Sequence, residues 1–262
     1  MDRLRAVEES DRVALRTVSL TQPLLWLRRG WRDLVRCPLP GLTHGLAATL
    51  FGALLIAWAR ERFWLLSGAF TGFLLVAPVV ATGLYRISRD LQRGLKPGLG
   101  DALRAWRPDQ GQMVIFGLLL ALAGTGWVLT SAALITGFSE LPVRNPQEFL
   151  KNVVLNEDSL LFPAWLALGA VMAAPVFASS VVSMPLLLDR KVNVLTAVLT
   201  SWRALLENPA PMALWATLIL VLTGLGMATA LAGLVFVVPW LAHASWHAYQ
   251  DLVDPSAIEP RD

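Results

Sequence analysis

Three histidines carry most of the coordination chemistry open to this sequence. His243 and His247 are four residues apart, so on a helix both imidazoles leave from one face, as a metal or haem-edge site needs. His44 begins another apolar run. Cys37 is the single cysteine, so no intrachain disulfide forms. Spacing supplies no evident fourth ligand, and the alternative places the histidines in an interfacial aromatic belt with Trp240, Trp246 and Tyr249. Ser179, Ser180 and Ser183 are candidate nucleophiles, but no histidine lies at a comparable depth to activate them. With Gly169, Ala173 and Ala174 nearby they read as close helix packing with local hydroxyl bonds. No P-loop, HExxH or GxSxG pattern occurs. The expectation is a protein that is not an enzyme and holds no cofactor, with metal or haem at His44, His243 and His247 as the alternative.

These residues sit in a chain built for lipid. Of 262 residues 55% are hydrophobic and 16% charged, where soluble domains carry about 25% charged. Mean hydropathy is +0.56, which excludes disorder, and 11 Trp against 2 Tyr suit a membrane protein. About 20 apolar residues cross the roughly 30 Å of hydrocarbon. Runs without Asp, Glu, Lys or Arg occupy about 41–59, 63–85, 112–138 and 160–188. The run Met212–Tyr249 would make a helix of about 57 Å, so it is divided into 212–229 and 232–249 by a tight turn near Met227 to Gly233. The fold class is therefore an all-α membrane protein of six transmembrane helices in three hairpins, each preceded by a cytoplasmic amphipathic interfacial helix. None of the six spans holds a formal charge, which argues against a carboxylate proton relay or a voltage sensor.

Orientation follows from Lys and Arg. Eighteen of the 22 fall before residue 41, in 86–110, in 189–210 and in the tail, against Arg60, Arg62, Arg144 and Lys151 on the other side. Both termini are expected in the cytoplasm and the membrane is expected to be a bacterial inner one. Residues 1–40 form a cytoplasmic arm and basic amphipathic helix, 41–249 the bundle and 250–262 an acidic tail. Met1 to Arg16 is mixed in charge and unlike a secretory signal. The net charge of +3 describes orientation and lipid contact, not a nucleic-acid partner.

An internal repeat organises the chain. Trp31 to Pro40 and Trp202 to Pro211 both read W-R-x-L-x-x-x-P-x-P, and Trp106-Arg107-Pro108 is a weaker copy before the third span. Leu20, Leu24, Leu27, Trp31 and Leu34 form one stripe, and Val194, Leu195, Val198, Leu199, Trp202, Leu205 and Leu206 another. Such helices lie in the headgroup plane, with Trp26, Trp31, Arg32, Trp106, Arg107, Trp202 and Arg203 as the interface residues. The second helix of each hairpin contains proline: Pro78, then Pro175 and Pro185, then Pro239. Asn145-Pro146-Gln147-Glu148 reads as a helix start in the outer loop Ser139 to Ser159.

Several stretches carry a family resemblance. They are Pro23-Leu24-Leu25-Trp26-Leu27 with Gly30-Trp31-Arg32-Asp33-Leu34, Ser88-Arg89 with Gly100-Asp101-Ala102-Leu103, Ser180 to Arg190, Asn208-Pro209 with Met212, and His243-Ala244-Ser245-Trp246-His247-Ala248-Tyr249. Over Val18 to Val253 the chain resembles bacterial inner-membrane proteins catalogued as domain of unknown function 2189. The resemblance implies several spans and no established activity. The residues themselves point to a non-enzymatic accessory, assembly or scaffolding component of an inner-membrane complex, with the lipid bilayer and that complex as partners. The alternatives are a permease for an apolar or weakly polar molecule, its helices broken by the prolines, and the metal or haem binder.

Overall fold

The computed structural model describes residues 2–58, 81–105 and 111–261. In chain order the helices are α1 (Asp2–Arg12), α2 (Gln22–Arg36), α3 (Pro38–Trp58), α4 (Thr82–Gln92), α5 (Leu99–Arg104), α6 (Gly111–Phe138) and α7 (Pro146–Phe149). A π-helical turn Leu150–Val154 follows, then α8 (Leu161–Ser180), α9 (Ser183–Asp189), α10 (Val194–Glu207), α11 (Pro209–Ala228) and α12 (Leu234–Leu252). Two short strands, β1 (Ala14–Leu15) and β2 (Val253–Asp254), pair antiparallel.

Among the described residues four helical stretches are long and apolar enough to cross a membrane: Pro38–Ala57, Gly111–Phe138, Leu161–Asp189 and Pro209–Ala228. These coincide with the first, third, fourth and fifth expected spans. Most of the second, with Pro78, lies outside the described residues, as do Trp106 and Arg107. The sixth departs from expectation. The long final run does divide, at a turn where Ala230 and Leu231 take φ of 52° and 70°, and Gly226 and Gly233 allow the two helices to approach. However, α12 is not among the four stretches, because its second half carries His243, His247, Gln250 and Asp251.

The prolines expected to break helices do not do so at Pro175 and Pro239, which lie inside α8 and α12. The interruption comes at Val181–Val182, between α8 and α9, where the expected proline Pro185 has no N–H for the Val181 carbonyl four residues back. There the Val182 amide donates to Ser201 Oγ at 3.1 Å and Trp202 Nε1 donates to Ser179 Oγ at 2.9 Å. Ser183 Oγ turns back to the Ser179 carbonyl, so these hydroxyls serve local packing.

The α10 helix turns its apolar stripe outward, and the stripe of α2 is divided between the two faces. The face of α10 that packs inward consists of Thr196, Ala197, Thr200, Ser201 and Ala204, while Leu195, Trp202 and Leu206 of the apolar stripe are exposed. In α2 the inward face is Pro23, Trp26, Leu27, Gly30, Asp33 and Leu34, while Leu24, Leu25, Trp31 and Val35 are exposed. Trp26, assigned from sequence to the membrane interface, is fully buried and meets Trp215 edge-on at 5.6 Å. Each helix enters the next span through one residue of similar conformation, Cys37 (φ −137°, ψ 70°) and Asn208 (φ −131°, ψ 50°). Proline follows both joints, in the first helical turn where its missing N–H costs nothing.

The chain forms two compact units, one from 1–49, 78–116 and 178–262, the other from 50–77 and 117–177. In the second unit Trp165 stacks on Phe162, meets Trp127 and Phe149, and donates from Nε1 to Ser131 Oγ at 2.7 Å. The expected helix start forms there, with Glu148 N bonded to Asn145 Oδ1 at 2.8 Å. In the first unit both terminal segments are packed. Ala6, Ser10 and Val13 are buried, and Arg203 donates to the Ser10 carbonyl. Asn208 holds the strand before α2, accepting from Val18 N at 2.8 Å and donating to Arg16 O at 3.1 Å. The tail returns to α9 through Arg261 N to Asp189 O at 2.8 Å.

Close approach of α2 to α12 depends on Gly30, where a Cβ would stand 2.5 Å from the Ala244 amide nitrogen. Gly30→Ala must therefore separate two backbones, a change costing about 1–3 kcal/mol. The purified protein in detergent is expected to melt several degrees lower with Gly30→Ala, and unchanged or higher with Gly224→Ala, where a Cβ meets nothing within 4 Å. Equal melting temperatures for the two variants would contradict this packing.

Candidate functional site

Asp33 is a charged residue on the face of α2 that helical spacing assigns to the interior, one turn or two from Gly30 and Trp26. Its carboxylate is 5% exposed as a residue and is held by two neighbours. Ser88 Oγ of α4 donates to Asp33 Oδ2 at 2.8 Å, and His247 Nε2 of α12 lies 2.8 Å from the same oxygen. Ser88 Oγ also meets His243 Nδ1 at 2.8 Å. On the other side His247 Nδ1 lies 3.2 Å from Gln92 Nε2, while Gln92 Oε1 accepts from Trp246 Nε1 at 3.0 Å.

The direction of every proton in this chain follows from two fixed ends, an indole that can only donate and a carboxylate that can only accept. An indole N–H can only donate, so Trp246 fixes the amide of Gln92 with its oxygen toward the indole. The Gln92 NH₂ then faces His247, whose Nδ1 must accept, leaving Nε2–H to donate to Asp33. His247 is thereby neutral. The single proton of Ser88 goes to the carboxylate, so His243 must donate from Nδ1 to the serine oxygen. Its Nε2 is left as a lone pair, buried and without a hydrogen-bond partner among the described residues. A serine nucleophile needs a base to take its proton; here that proton is directed to Asp33.

Two more carboxylates act in the same way. Asp251, near the end of α12, accepts from Gln22 Nε2 at 2.6 Å, Trp26 Nε1 at 2.9 Å and Arg29 Nη1 at 2.8 Å. Asp189, at the end of α9, accepts from Tyr249 Oη at 2.9 Å and from Arg190 Nε at 3.0 Å. Arg89 of α4, 4% exposed, donates to the carbonyls of Leu188 and Arg261, each at 3.3 Å. These bonds join α12 to α2 through Asp251, and α9 to α12 and α4 through Asp189 and Arg89.

Burial works against the charge of Asp33, but the hydrogen bonds from His247 and Ser88 outweigh it, so its pKa lies below the usual carboxylate value. Burial likewise opposes the charge of Asp251, and Gln22, Arg29 and Trp26 reverse the balance. A carboxyl with a depressed folded pKa contributes stability above its unfolded pKa and loses it as pH falls through the folded one. Asp33 and Asp251 should therefore lose their stabilising contribution on acidification. Cys37 behaves oppositely: partial burial and the Asp101 carboxylate raise its thiol pKa, and its Sγ lies 3.2 Å from the Pro97 carbonyl.

The structure brings His243 and His247 to one Asp33–Ser88 unit, buried rather than in an exposed belt. Both nitrogens of His247 are engaged. His44 Nδ1 lies 2.7 Å from the Pro40 carbonyl and must donate to it, which leaves Nε2 as acceptor. Among the described residues no three His, Cys, Asp or Glu side chains are grouped so as to hold a metal ion. Of the interface residues, Trp31 and Arg32 are exposed, Trp202 is bonded to Ser179, and Arg203 reaches Ser10. Sequence reasoning missed Asp33, Ser88 and Gln92. The available signal was the charge on the inward stripe Trp26, Gly30 and Asp33.

Nitrogen-15 spectra of labelled protein at neutral pH are expected to show His247 as the neutral Nε2–H tautomer and His243 as the neutral Nδ1–H tautomer. Doubly protonated His247, or the Nδ1–H tautomer there, would contradict the proton assignment.

A family model described as a predicted integral membrane protein, DUF2189, matches residues 65–189. That segment includes Ser88-Arg89, Gly100 to Leu103 and the stretch from Ser180 to Asp189, whereas the resembling stretches of α2 and α12 lie outside it. No curated protein and no solved structure matches the chain. Residues 65–189 are thus similar to the DUF2189 family of predicted integral membrane proteins, and the chain is an integral membrane protein with several apolar helices.

Proposed function

We propose that this protein is a non-enzymatic accessory, assembly or scaffolding component of a bacterial inner-membrane complex. In this reading it spans the bilayer six times with both termini in the cytoplasm, and α2 and α10 lie as interfacial helices with Trp31 and Trp202 outward. The observation that carries the reading is the engagement of two buried carboxylates and a half-buried one. Asp33, Asp189 and Asp251 each accept from side chains on other helices or the adjoining turn, so their donors hold helices together. Outward apolar faces support it further, since Leu24, Leu25, Trp31 and Val35 on α2 and Leu195, Trp202 and Leu206 on α10 are exposed. Continuity of α8 and α12 through Pro175 and Pro239 weakens the proline motive for a permease, which keeps the break before Pro185.

A metal or haem site has one observation in its favour, the lone pairs left on His243 Nε2 and His44 Nε2 by the bonds their Nδ1 atoms make. One preparation tests both readings. Affinity purification from native membranes in mild detergent is expected to recover a membrane-protein partner in fixed stoichiometry, with no haem absorption and no bound metal. Protein without a partner would contradict the accessory role. A stoichiometric metal or haem lost in His243→Ala would favour the second reading.

A further inference from the structure

Beside the closed Asp33 network lies an open cavity of about 320 Å³ with a basic wall. Arg29, Arg32 and Arg36 of α2 line one side; Gln92 of α4 and His247 of α12 line the other, with Asp33 at the floor. Arg29 is committed to Asp251 at 2.8 Å. Arg32 and Arg36 are exposed, and neither has a carboxylate within ion-pair distance among the described residues.

Two unpaired guanidinium groups four residues apart on one helix face repel each other. A bridging anion removes that repulsion, and the planar fork of arginine matches the oxygens of phosphate. Asp33 does not neutralise this wall, because its side chain is 7% exposed and its Oδ2 already accepts from Ser88 and His247. The Gln92 amide, oriented by Trp246, keeps a second N–H beyond the one aimed at His247. Position adds an independent argument. A single residue, Cys37, separates Arg36 from the first residue of α3, an apolar helix long enough to span, so the arginines stand near the depth of lipid phosphates.

We propose that Arg32 and Arg36 form a binding site for a phosphate group, in the cavity they share with Gln92 and His247. The group belongs to a phospholipid headgroup or to a soluble phosphate ester. The site is separate from the accessory role proposed above and does not depend on it.

The test uses full-length protein in non-ionic detergent and two phosphate monoesters, sn-glycerol 3-phosphate and the short-chain lipid dihexanoyl phosphatidate. At least one should bind saturably at one equivalent, at least tenfold more weakly in Arg32→Gln/Arg36→Gln, and within twofold of wild type in Arg28→Gln. Equal affinity for both probes assigns a soluble ester, and binding of phosphatidate alone assigns a headgroup. Both arginines are exposed, so the double variant should melt at or slightly above the ligand-free wild type. If it fails to fold, Arg32→Lys and Arg36→Lys, which keep the charge and lose the fork, should each weaken binding severalfold. No saturable binding of either probe, unchanged affinity in the folded arginine variants, or an equal loss in Arg28→Gln would overturn the proposal.

Discussion

One carboxylate oxygen, Oδ2 of Asp33, accepts from Ser88 and His247 and holds α2 against α4 and α12. Burying a charge in a protein interior is unfavourable unless donors replace its water. Here two helices supply one donor each, so the charge is tolerated only when all three helices are in place. The bonds extend outward from it. Ser88 orders His243, and His247 orders Gln92, which Trp246 has already oriented. Around this centre Asp251 draws in Gln22, Trp26 and Arg29, and Asp189 draws in Tyr249. Direct backbone contact completes the attachment of α2, through Gly30 on Ala244 and the Trp240 indole N–H to the Leu27 carbonyl at 2.7 Å.

The polarity of α2 and α10 fits a protein whose outside is lipid. In water an amphipathic helix turns its large apolar side chains inward. Of the two, α10 does the opposite, packing Thr200, Ser201 and Ala204 inward while Leu195, Trp202 and Leu206 face outward. The α2 helix is apolar on both faces, with Trp26, Leu27 and Leu34 inward beside Gly30 and Asp33, and Leu24, Leu25, Trp31 and Val35 outward. The matching conformations at Cys37 and Asn208 extend the likeness from sequence to backbone, and support the proposed repeat.

Much of the architecture was legible because it rests on simple constraints. The apolar lengths at 41–59, 112–138, 160–188 and 212–229 each appear as a span-sized helix, and the excess length of the last run required a turn that forms at 229–233. The capping at Asn145 was legible from local chemistry alone. What was not legible depends on pairing across distance. Hydrophobic periodicity marks a stripe without saying whether protein or lipid covers it, so Trp26 and Trp31 looked alike although one is buried and the other exposed. Similarly, four-residue spacing placed His243 and His247 on one face, but nothing local to α12 indicated Asp33 or Ser88 as their partners. The stretches that carry the family resemblance, including Ser88-Arg89, Asp189-Arg190 and His243 to Tyr249, are distant in sequence yet meet at this cluster.

The central claim is that Asp33 and His247 act as one unit joining α2 to α12, and a double-mutant cycle on the purified protein tests it most directly. Because either substitution leaves a buried partner unsatisfied, Asp33→Ala and His247→Ala should each lower unfolding free energy by about 3 kcal/mol. The double variant should lose little more than either single one, giving a coupling of roughly 2 kcal/mol or more. Losses that add to within about 0.5 kcal/mol would show that the two residues act independently, and would contradict the account.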